Sequence, residues 1–326
     1  YLEAFKLAAQ IPRGKVSTYG AIAKALGDVS ASRTVGQIMS ADRERPFPVP
    51  CHRVIYSDGR TGWYTGSGRG AERKREMLRS EGVEILDGRV KDPGSAVFTD
   101  FSGDPLLRRM AEAQREIASS VSQEGDARKF ERLAALDVSY RGDQAFAAMV
   151  VVDRDGKVVG ERTASCVVNF PYVPGYLGFR EMRPYTSVMG EPGEDTLYLI
   201  DGHGRAHPRR AGVACQFGVV HQVAAAGVAK TILAGAMKGD SLILDGEEAG
   251  RLVRTCDRRT YFASVGHKAS LDSVCRVLAS LPADPMALAH NLARRQAHIS
   301  LLARDPVKLQ SAVREILAQS TNDAYP

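Results

Sequence analysis

The sequence is poor in cysteine and has no apolar segment of membrane length. Its 326 residues include five cysteines and no Cys-x-x-Cys pair, which argues against a disulfide framework or a structural zinc site and favours a reducing compartment. Because no run of about 18 apolar residues occurs, no membrane span is expected. The first residues also lack the layout of a secretory signal peptide. These absences predict a cytoplasmic protein without a membrane partner.

Length and charge indicate a two-domain protein that binds a polyanion. Globular domains usually contain on the order of 100–200 residues, so a chain of 326 residues predicts two domains. The net charge is +6, and the first 100 residues contain 16 Lys and Arg against 12 Asp and Glu. The basic excess is therefore concentrated in the N-terminal part, where nucleic acid is the expected partner.

The chain divides at a segment rich in proline, glycine and serine. Residues 93–105 break every periodic pattern and are predicted to be a linker. They separate a mainly helical domain, 1–92, from an α/β domain, 106–326, which begins with a helix over 106–121. In the second domain an Asp-Gly turn near residue 155 indicates a hairpin. A helix is expected near 210–227, and strands of a mixed sheet are expected over 133–139, 145–153, 157–168, 196–201, 230–234 and 260–265.

Two short helical stretches near the N-terminus suit a helix-turn-helix. The first covers 20–27, with Ser17 or Thr18 as its N-cap and Gly27 at its end. The second covers 32–39 after a brief turn. The second helix of such a motif lies in a DNA groove, although any small helical bundle gives a similar pattern.

A cysteine with basic neighbours is the candidate nucleophile of this domain. Cys51 precedes His52 and Arg53, and positive charge with an imidazole partner lowers a thiol pKa. The alternative is a buried, inert cysteine. The Pro-Cys-His-Arg-Val run at 50–54 closely resembles the signature of the O6-alkylguanine-DNA alkyltransferase family, and the resemblance extends over residues 1–92.

This resemblance implies both a DNA contact surface and a chemical relay. Glu81 would orient His52, which acts through water to give a Cys51 thiolate that attacks the alkyl carbon of a flipped-out guanine. The protein would be consumed by this reaction. The implied DNA contacts are the helix-turn-helix tyrosine, the arginine finger and the guanine-pocket tyrosine, which correspond to Tyr19, Arg33 and Tyr64.

Two departures from the family pattern bear on activity. Arg43 stands eight residues before Cys51, where the family usually has asparagine, and the loop between Tyr64 and Lys74 is longer than usual. Alkyltransferase-like damage sensors replace the cysteine with tryptophan, whereas Cys51 is kept here. The sequence therefore favours a working transferase, with a non-catalytic sensor that targets the nuclease as the alternative.

Two aspartates end apolar strands in the second domain. Asp137 sits at the end of the apolar strand that begins at 133, and Asp201 ends the strand that begins at 196. Carboxylates that meet in a sheet bind divalent cations, of which Mg²⁺ is the usual choice. Each aspartate alone is also typical of a turn or helix cap.

Four segments in family order, 170–181, 201–210, 227–230 and 264–268, resemble the endonuclease V family over about residues 106–300. The resemblance implies an RNase H-like sheet and a metal site of Asp137, Glu181 and Asp201 for Mg²⁺, with Mn²⁺ as the alternative ion. It also implies two further catalytic residues, which are Lys230 near the scissile phosphate and His267. The implied DNA contacts are Tyr172, as a wedge that separates the strands, and His203 and Arg209 in a glycine-rich loop. For that loop a plain strand-to-helix turn is the alternative.

The two resemblances together imply a bifunctional DNA repair enzyme. Its substrates would be O6-alkylguanine and deaminated bases, chiefly hypoxanthine, with a nick placed 3′ to the lesion. Inosine in RNA is an alternative substrate for the nuclease. Cys166, Cys215, Cys256 and Cys275 are expected in the core, and His221, His290 and His298 are expected to be structural or surface groups. The sequence does not indicate an oligomeric state.

Overall fold

The computed structural model describes residues 1–41, 45–63 and 70–302. The chain forms two compact units. The first consists of Tyr1–Ala113 together with Phe170–Tyr176, and the second consists of Gln114–Asn169 and the chain from Leu177 onward. The predicted linker, 93–105, contains a short helix, Pro93–Ala96, and lies within the first unit.

Short helices and two small sheets build the first unit. Val54–Ile55 pairs with Ser17–Thr18 in parallel, and Ile85–Leu86 pairs with Arg89–Val90 as a hairpin. In chain order the strands are β1 (Ser17–Thr18), β2 (Val54–Ile55), β3 (Ile85–Leu86) and β4 (Arg89–Val90), and the helices are α1 (Leu2–Ala9), α2 (Tyr19–Ala25), α3 (Ser32–Ser40), α4 (Gly70–Ser80), α5 (Pro93–Ala96) and α6 (Leu106–Ser120). The last helix, α6, belongs to the first unit up to Ala113 and to the second unit from Gln114.

Side-chain caps define the predicted helix pair α2 and α3. Thr18 Oγ1 accepts a hydrogen bond from the Ala21 N–H at 3.0 Å, so Thr18 is the N-cap. Gly27 follows α2 with φ of +105°, a conformation that favours glycine. Asp28 then caps the next turn by accepting from the Ser30 N–H. These local bonds satisfy the free helix ends and set the turn that leads into α3.

The second unit is built on a nine-stranded mixed sheet. Its strand order is β10-β11-β12-β13-β9-β8-β5-β6-β7, in which β8 is parallel to both β5 and β9 and all other pairs are antiparallel. The strands are β5 (Arg132–Arg141), β6 (Gln144–Asp153), β7 (Val158–Val167), β8 (Thr196–Asp201), β9 (Ala225–Ala229), β10 (Ala236–Lys238), β11 (Ser241–Leu244), β12 (Glu247–Arg254) and β13 (Thr260–His267). The helices are α7 (Leu177–Met189), α8 (Val213–His221), α9 (Leu271–Ser280) and α10 (Pro285–Leu302).

Helices cover both faces of the centre of this sheet. Leu133 and Ala135 of β5 lie in a core with residues of α9 and α10. Their neighbours Ala134 and Leu136 point to the opposite face and pack in a core with α7 and α8. A strand that is buried on both faces reads as a continuous apolar run, which explains the apolar sequence that precedes Asp137.

The strand predicted over 230–234 is wrong in position. The strand is β9, which ends at Ala229, and residues 230–233 are exposed. A Cβ on Gly227 would lie 2.4 Å from the Gly204 backbone nitrogen, so only small residues fit this stretch of the sheet. The predicted helix near 210–227 is the shorter α8. Within the described part of the chain, no helix is long and apolar enough to cross a membrane.

Candidate active sites

The candidate nucleophile lies in a buried turn of the first unit. Cys51 begins a single 3-10 turn, Cys51–Arg53, directly before β2. Its Sγ lies 3.7 Å from Met39 Sδ on α3. Burial raises the pKa of the Cys51 thiol, whereas the positive charges of Arg45 and Lys74 act to lower it. Burial prevails, so the thiol stays protonated until a base removes its proton.

A histidine, a glutamate and an arginine form one hydrogen-bonded group beside the cysteine. His52 Nε2 and Glu81 Oε1 are joined at 2.9 Å, and the Arg53 guanidinium donates to both Glu81 carboxylate oxygens at 2.8 Å. The Arg53 hydrogen bonds hold the pKa of Glu81 at about 2, so this carboxylate remains charged. Burial lowers the pKa of His52. The imidazole is therefore neutral near pH 7 and is available as a base.

The positive charge near the thiol has a different source from the one expected. Arg53 was the predicted source, but its guanidinium bonds to Glu81 and to the Ile11 carbonyl. Arg45 and Lys74 are the basic groups that act on Cys51. A guanidinium held by a carboxylate exerts less field on other groups, which accounts for the correction.

Lys74 is a functional candidate that the sequence analysis missed. It lies on α4 with only 1% of its surface exposed, and its Nζ donates to the Val54 carbonyl at 2.6 Å. Burial lowers the pKa of Lys74 to about 8, against the influence of Cys51. Flanked by two arginines, Lys74 looked like part of a solvent face. Its spacing of four from the buried Leu78 was the available signal that it faces inward.

The predicted DNA-contact residues of this unit differ in exposure. Tyr19 is half-buried, and its ring centroid lies 5.4 Å from that of Tyr56. Burial raises the pKa of Tyr19 to about 12, with Tyr56 and Cys51 as further causes, so its phenol is neutral beside the thiol. Arg33 is exposed on α3. Arg43 and Tyr64 lie outside the described residues.

The two aspartates predicted at strand ends lie side by side, although Asp137 falls in the middle of β5 and only Asp201 ends its strand. Leu136 of β5 is paired with Ile200 of β8 in parallel register, so the next residues, Asp137 and Asp201, are neighbours at the same sheet edge. His290 of α10 joins them, and one ligand atom from each of the three lies within 4.8 Å of the others. The arrangement follows from strand register, which fixes both carboxylates at once.

Burial and mutual repulsion disfavour the charged forms of Asp137 and Glu181. Asp137 is 6% exposed, and its pKa is raised by burial and by the charge of Asp201. Burial raises the pKa of Glu181 on α7 to about 8, and both aspartates add to the shift. Oxygen ligands gathered at a buried, negatively charged point fit a hard divalent cation such as Mg²⁺. The residues present therefore suit a metal ion, but the group within 4.8 Å contains His290 and not the predicted Glu181 beside Asp137 and Asp201.

Two tyrosines orient Glu181. Tyr140 and Tyr185 donate hydroxyl hydrogen bonds to its two carboxylate oxygens, at 3.2 and 3.1 Å. Tyr185 lies one turn further along α7, and Tyr140 belongs to β5. Each carboxylate oxygen thus has a fixed donor, which holds the side chain in one orientation.

The structure brings His290, and not His267, to the carboxylates. His290 Nδ1 lies 2.6 Å from Asp137 Oδ2 in a hydrogen-bonded pair, so the expectation that His290 is a structural or surface group is corrected. His267 Nδ1 instead accepts from the Ser122 N–H at 3.1 Å. Because side chains alternate along a strand, Asp137 points to the face of the sheet that α10 covers. That His290 of α10 lies beside it is known only from the folded structure.

Lys230 lies at the same edge as the aspartates. Its Nζ donates to Asp201 Oδ2 at 2.7 Å, and half of the side chain is exposed. The residue follows β9, which is paired in parallel with β8. An exposed ammonium beside a metal-site carboxylate is well placed to meet a phosphate.

The glycine-rich loop after β8 uses its backbone N–H groups internally. The Gly204 N–H donates to Ser264 Oγ at 2.8 Å, and the Gly212 N–H donates to the Gly204 carbonyl at 2.9 Å. A Cβ on Gly204 would lie 2.0 Å from the Val265 carbonyl oxygen. The glycines therefore permit close backbone packing, which supports the alternative of a plain strand-to-helix turn.

The two predicted DNA contacts of this loop, His203 and Arg209, interact with other parts of the second unit. Arg209 Nε donates to Gln114 Oε1 at 2.6 Å, so its guanidinium is already engaged. Burial lowers the pKa of His203, which leaves this ring neutral. The neutral His203 ring does not favour a charged contact with a phosphate, and Arg209 has one guanidinium nitrogen bonded to Gln114.

The remaining cysteines only partly match the expected core placement. Cys215 and Cys275 are buried, Cys166 is half-buried and Cys256 is exposed. Cys256 follows the edge of β12, where the chain turns toward β13. Its expected core position is wrong.

Comparisons with known proteins match the two units to two families. The family model described as endonuclease V matches residues 115–291, and the model described as 6-O-methylguanine DNA methyltransferase, DNA binding domain, matches residues 2–83. A bifunctional methyltransferase/endonuclease of Thermoplasma volcanium is 35% identical over 294 residues, which cover 89% of this chain and 88% of that protein. A bifunctional methyltransferase-like/endonuclease of Nanoarchaeum equitans is 26% identical over 83% of this chain and 81% of that protein.

A solved structure supports the fold of the second unit. The crystal structure of endonuclease V from Streptomyces avermitilis has 32% sequence identity and a TM-score of 0.54, and it covers 59% of this chain and 93% of that chain. The β5-β6-β7 meander followed by parallel β8 and β9 is the RNase H-like sheet expected from the sequence.

The chain therefore belongs to the endonuclease V family and, within it, to the bifunctional methyltransferase/endonucleases. It is a DNA repair protein that combines alkyltransferase-like and endonuclease V activities.

Proposed function

We propose that the chain repairs two kinds of base damage, with residues up to about 92 acting on alkylated guanine and residues from about 106 acting as the nuclease. The positions of the two family matches, 2–83 and 115–291, support this division. The nuclease nicks DNA on the 3′ side of a deaminated base, chiefly hypoxanthine. The observation that carries this proposal is the group formed by Asp137, Asp201 and His290.

Mg²⁺ is the proposed ion, with Mn²⁺ able to replace it, and Asp137, Asp201 and His290 would hold it with Glu181 beside them. A divalent ion bound there supplies Lewis acidity toward a phosphate oxygen and lowers the pKa of a bound water. Glu181, fixed by two tyrosine hydroxyls and with its pKa raised to about 8, is placed to exchange a proton near neutral pH. Lys230 offers its ammonium to the phosphate next to Asp201.

Tyr172 contributes an exposed aromatic ring to the DNA-binding surface. Its side chain is 56% exposed, and we propose that it stacks on a base next to the lesion. Stacking of this kind contributes about 1–3 kcal/mol per base. The ring would replace part of the stacking that a distorted base pair loses.

His290→Ala tests the histidine assignment. We expect this variant to need about 10–100-fold more Mg²⁺ for half-maximal nicking, the usual effect of removing a group that binds or orients a metal ligand. The Asp137 carboxylate would lose its 2.6 Å partner. The measurement is the initial nicking rate of an inosine-containing duplex across a Mg²⁺ titration.

His267→Ala is the matched control for that titration. Its ring bonds to the Ser122 N–H rather than to the carboxylates, so the Mg²⁺ requirement should stay within about twofold of the original. A larger shift for His267→Ala than for His290→Ala would restore the role that the sequence suggested for His267.

In the first unit, Cys51 is the proposed alkyl acceptor. The thiol proton passes through a water to His52, the Cys51 sulfur forms a bond to the alkyl carbon, and the bond from that carbon to O6 of guanine breaks. The electron pair of that bond leaves with the base, which takes up the proton held by His52, through water, and is restored as guanine. The contact between His52 and the charged Glu81 supports this proposal, because the carboxylate stabilises the imidazolium that forms.

Lys74→Met should slow alkyl transfer most strongly near neutral pH. The ammonium opposes the burial that raises the pKa of Cys51, so its removal moves the thiol pKa further up. A shift of about one unit lowers the thiolate fraction, and hence the rate, about tenfold. The measurement is the second-order transfer rate from an O6-methylguanine duplex between pH 6 and 10.

The pH dependence of the transfer rate also shows whether Lys74 acts through its charge or only through its packing. Since the Lys74 pKa is about 8, the two proteins should converge at the alkaline end, where the original Lys74 is also neutral. A deficit that is equal at every pH would mean that Lys74 fills space only.

A damage sensor without transfer is the second candidate for the first unit. Burial raises the pKa of the Cys51 thiol, which disfavours reaction, and the relative from Nanoarchaeum equitans is described as methyltransferase-like. Under this alternative Cys51 lines a pocket that binds the alkylated base, and the nuclease is brought to the lesion.

A further inference from the structure

The segment Phe170–Tyr176 connects β7 to α7 of the second unit but packs within the first unit. Pro171 and Pro174 flank Tyr172 and Val173 in this segment. Proline fixes φ and reduces the number of conformations that a loop samples. The segment is therefore stiff before any contact is considered.

Hydrogen bonds fasten the segment on both sides of its exposed tyrosine. Thr34 Oγ1, on α3, donates to the Tyr172 carbonyl at 2.9 Å. The Tyr176 hydroxyl donates to Asp28 Oδ2 at 2.7 Å, and Tyr176 is only 1% exposed. Thr34 is buried as well. Buried hydrogen bonds of this kind are costly to break, because the freed groups lose their partners away from water.

Apolar packing adds to these hydrogen bonds. Phe170, Pro171 and Val173 line a small apolar hollow together with Val35 and Ile38 of α3. Val173 is buried on one side of the chain, whereas the Tyr172 ring points to solvent. The residues around Tyr172 are thus held against α3, and the Tyr172 ring remains exposed at a fixed position.

We propose that Thr34 and Asp28 of the first unit are positioning residues for the nuclease, because they hold the segment that presents Tyr172 to DNA. This inference rests on the proposed nuclease function, in which the ring of Tyr172 stacks on a base. Thr34 lies next to the exposed Arg33 on α3. Helix α3 therefore exposes Arg33, its proposed DNA contact, and holds the tyrosine segment through the adjacent, buried Thr34.

Tyr176→Phe tests the proposal with little disturbance of the fold. The substitution removes only the hydroxyl that donates to Asp28 and leaves the bond from the Ser30 N–H to Asp28 intact. Thr34→Val is the partner variant, since it removes the hydroxyl that donates to the Tyr172 carbonyl. Each protein is given inosine in a duplex and the same inosine strand without its complement, and initial nicking rates are compared.

We expect each variant to nick duplex inosine about fivefold or more slowly, which corresponds to loss of one stacked base. The single strand needs no separation, so its rate should change by less than about twofold. Adding Tyr176→Phe to Tyr172→Ala should cause no further loss, because a positioning residue acts only through the ring that it positions. A general folding defect would not produce this pattern.

Ser40→Ala is the matched control. Ser40 lies on the same helix, and its hydroxyl bonds within α3 to the Gln37 carbonyl, so both substrates should be nicked at the original rates. Equal losses on duplex and single strand in Tyr176→Phe, or no loss on either, would overturn the inference while the original protein still nicks inosine. Failure of the proposed function would look different, because the unsubstituted protein itself would then leave inosine uncut.

Discussion

Asp137→Asn is expected to reduce nicking of inosine-containing DNA by at least about a thousandfold, because a metal ligand that stabilises transition-state charge contributes several kcal/mol. Asparagine keeps the shape of the side chain but not its charge. Alkyl transfer to Cys51 should be unchanged, since Cys51 and its partners belong to the first unit. The measurement is a denaturing gel of nicked strand, run beside a methyl-transfer assay on the same preparation.

Protein stability distinguishes a lost ligand from a damaged fold. The pKa of Asp137 is raised by burial and by Asp201, so without metal the charged carboxylate destabilises the folded state. Asp137→Asn removes that charge and should melt no lower than the original protein in chelator. Asp155→Asn, in an exposed hairpin turn, is the matched control and should nick normally. Simultaneous loss of both activities in Asp137→Asn would contradict two independent sites.

Cys51→Ser is expected to abolish alkyl transfer while the nuclease remains fully active. A serine hydroxyl is far less acidic than a thiol and is a poor nucleophile in this setting. Because Ser is close to Cys in size, the contacts of the buried turn should persist. The measurement is the transfer of a labelled methyl group from O6-methylguanine DNA to protein, with the acceptor residue located by peptide mass.

The exposed Cys256 supplies the control for that assay. Cys256→Ser should transfer the methyl group at the original rate, because Cys256 lies in the other unit. Label that remains on Cys51→Ser would exclude Cys51 as the acceptor. Tight binding of alkylated DNA by the original protein without any transfer would instead favour the damage sensor.

The two aspartates could be selected from the sequence because each directly follows an apolar run. The apolar run of β5 ends at Leu136, inside the strand, whereas Asp201 is the last residue of β8. Resemblance to a family then joined two aspartates that are 64 residues apart in the sequence. That the two aspartates are adjacent follows from the register that pairs Leu136 with Ile200, which only the structure provides.

His290 and Lys74 escaped prediction because their roles depend on tertiary packing. His290 sits on α10, and its partner Asp137 is 153 residues away. Nothing in the helix itself indicates which carboxylate its face will meet. Lys74 is surrounded by charged residues that belong on a surface, yet α4 turns this one side chain inward to the Val54 carbonyl. Burying a lysine costs free energy unless its ammonium finds a hydrogen-bond partner, and that partner, the Val54 carbonyl, is evident only in the folded protein.

The path of the chain through Phe170–Tyr176 limits how the protein can be dissected. A single cut near residue 113 would leave the N-terminal fragment without seven residues that belong to its compact unit. The C-terminal fragment would carry Val173 and Tyr176 into water, and exposing a large apolar side chain costs about 1.5–3 kcal/mol. The two family domains follow each other in the sequence, but a segment from within the second domain belongs to the first compact unit. Separation-of-function alleles, rather than truncations, are the appropriate genetic tool for assigning each activity.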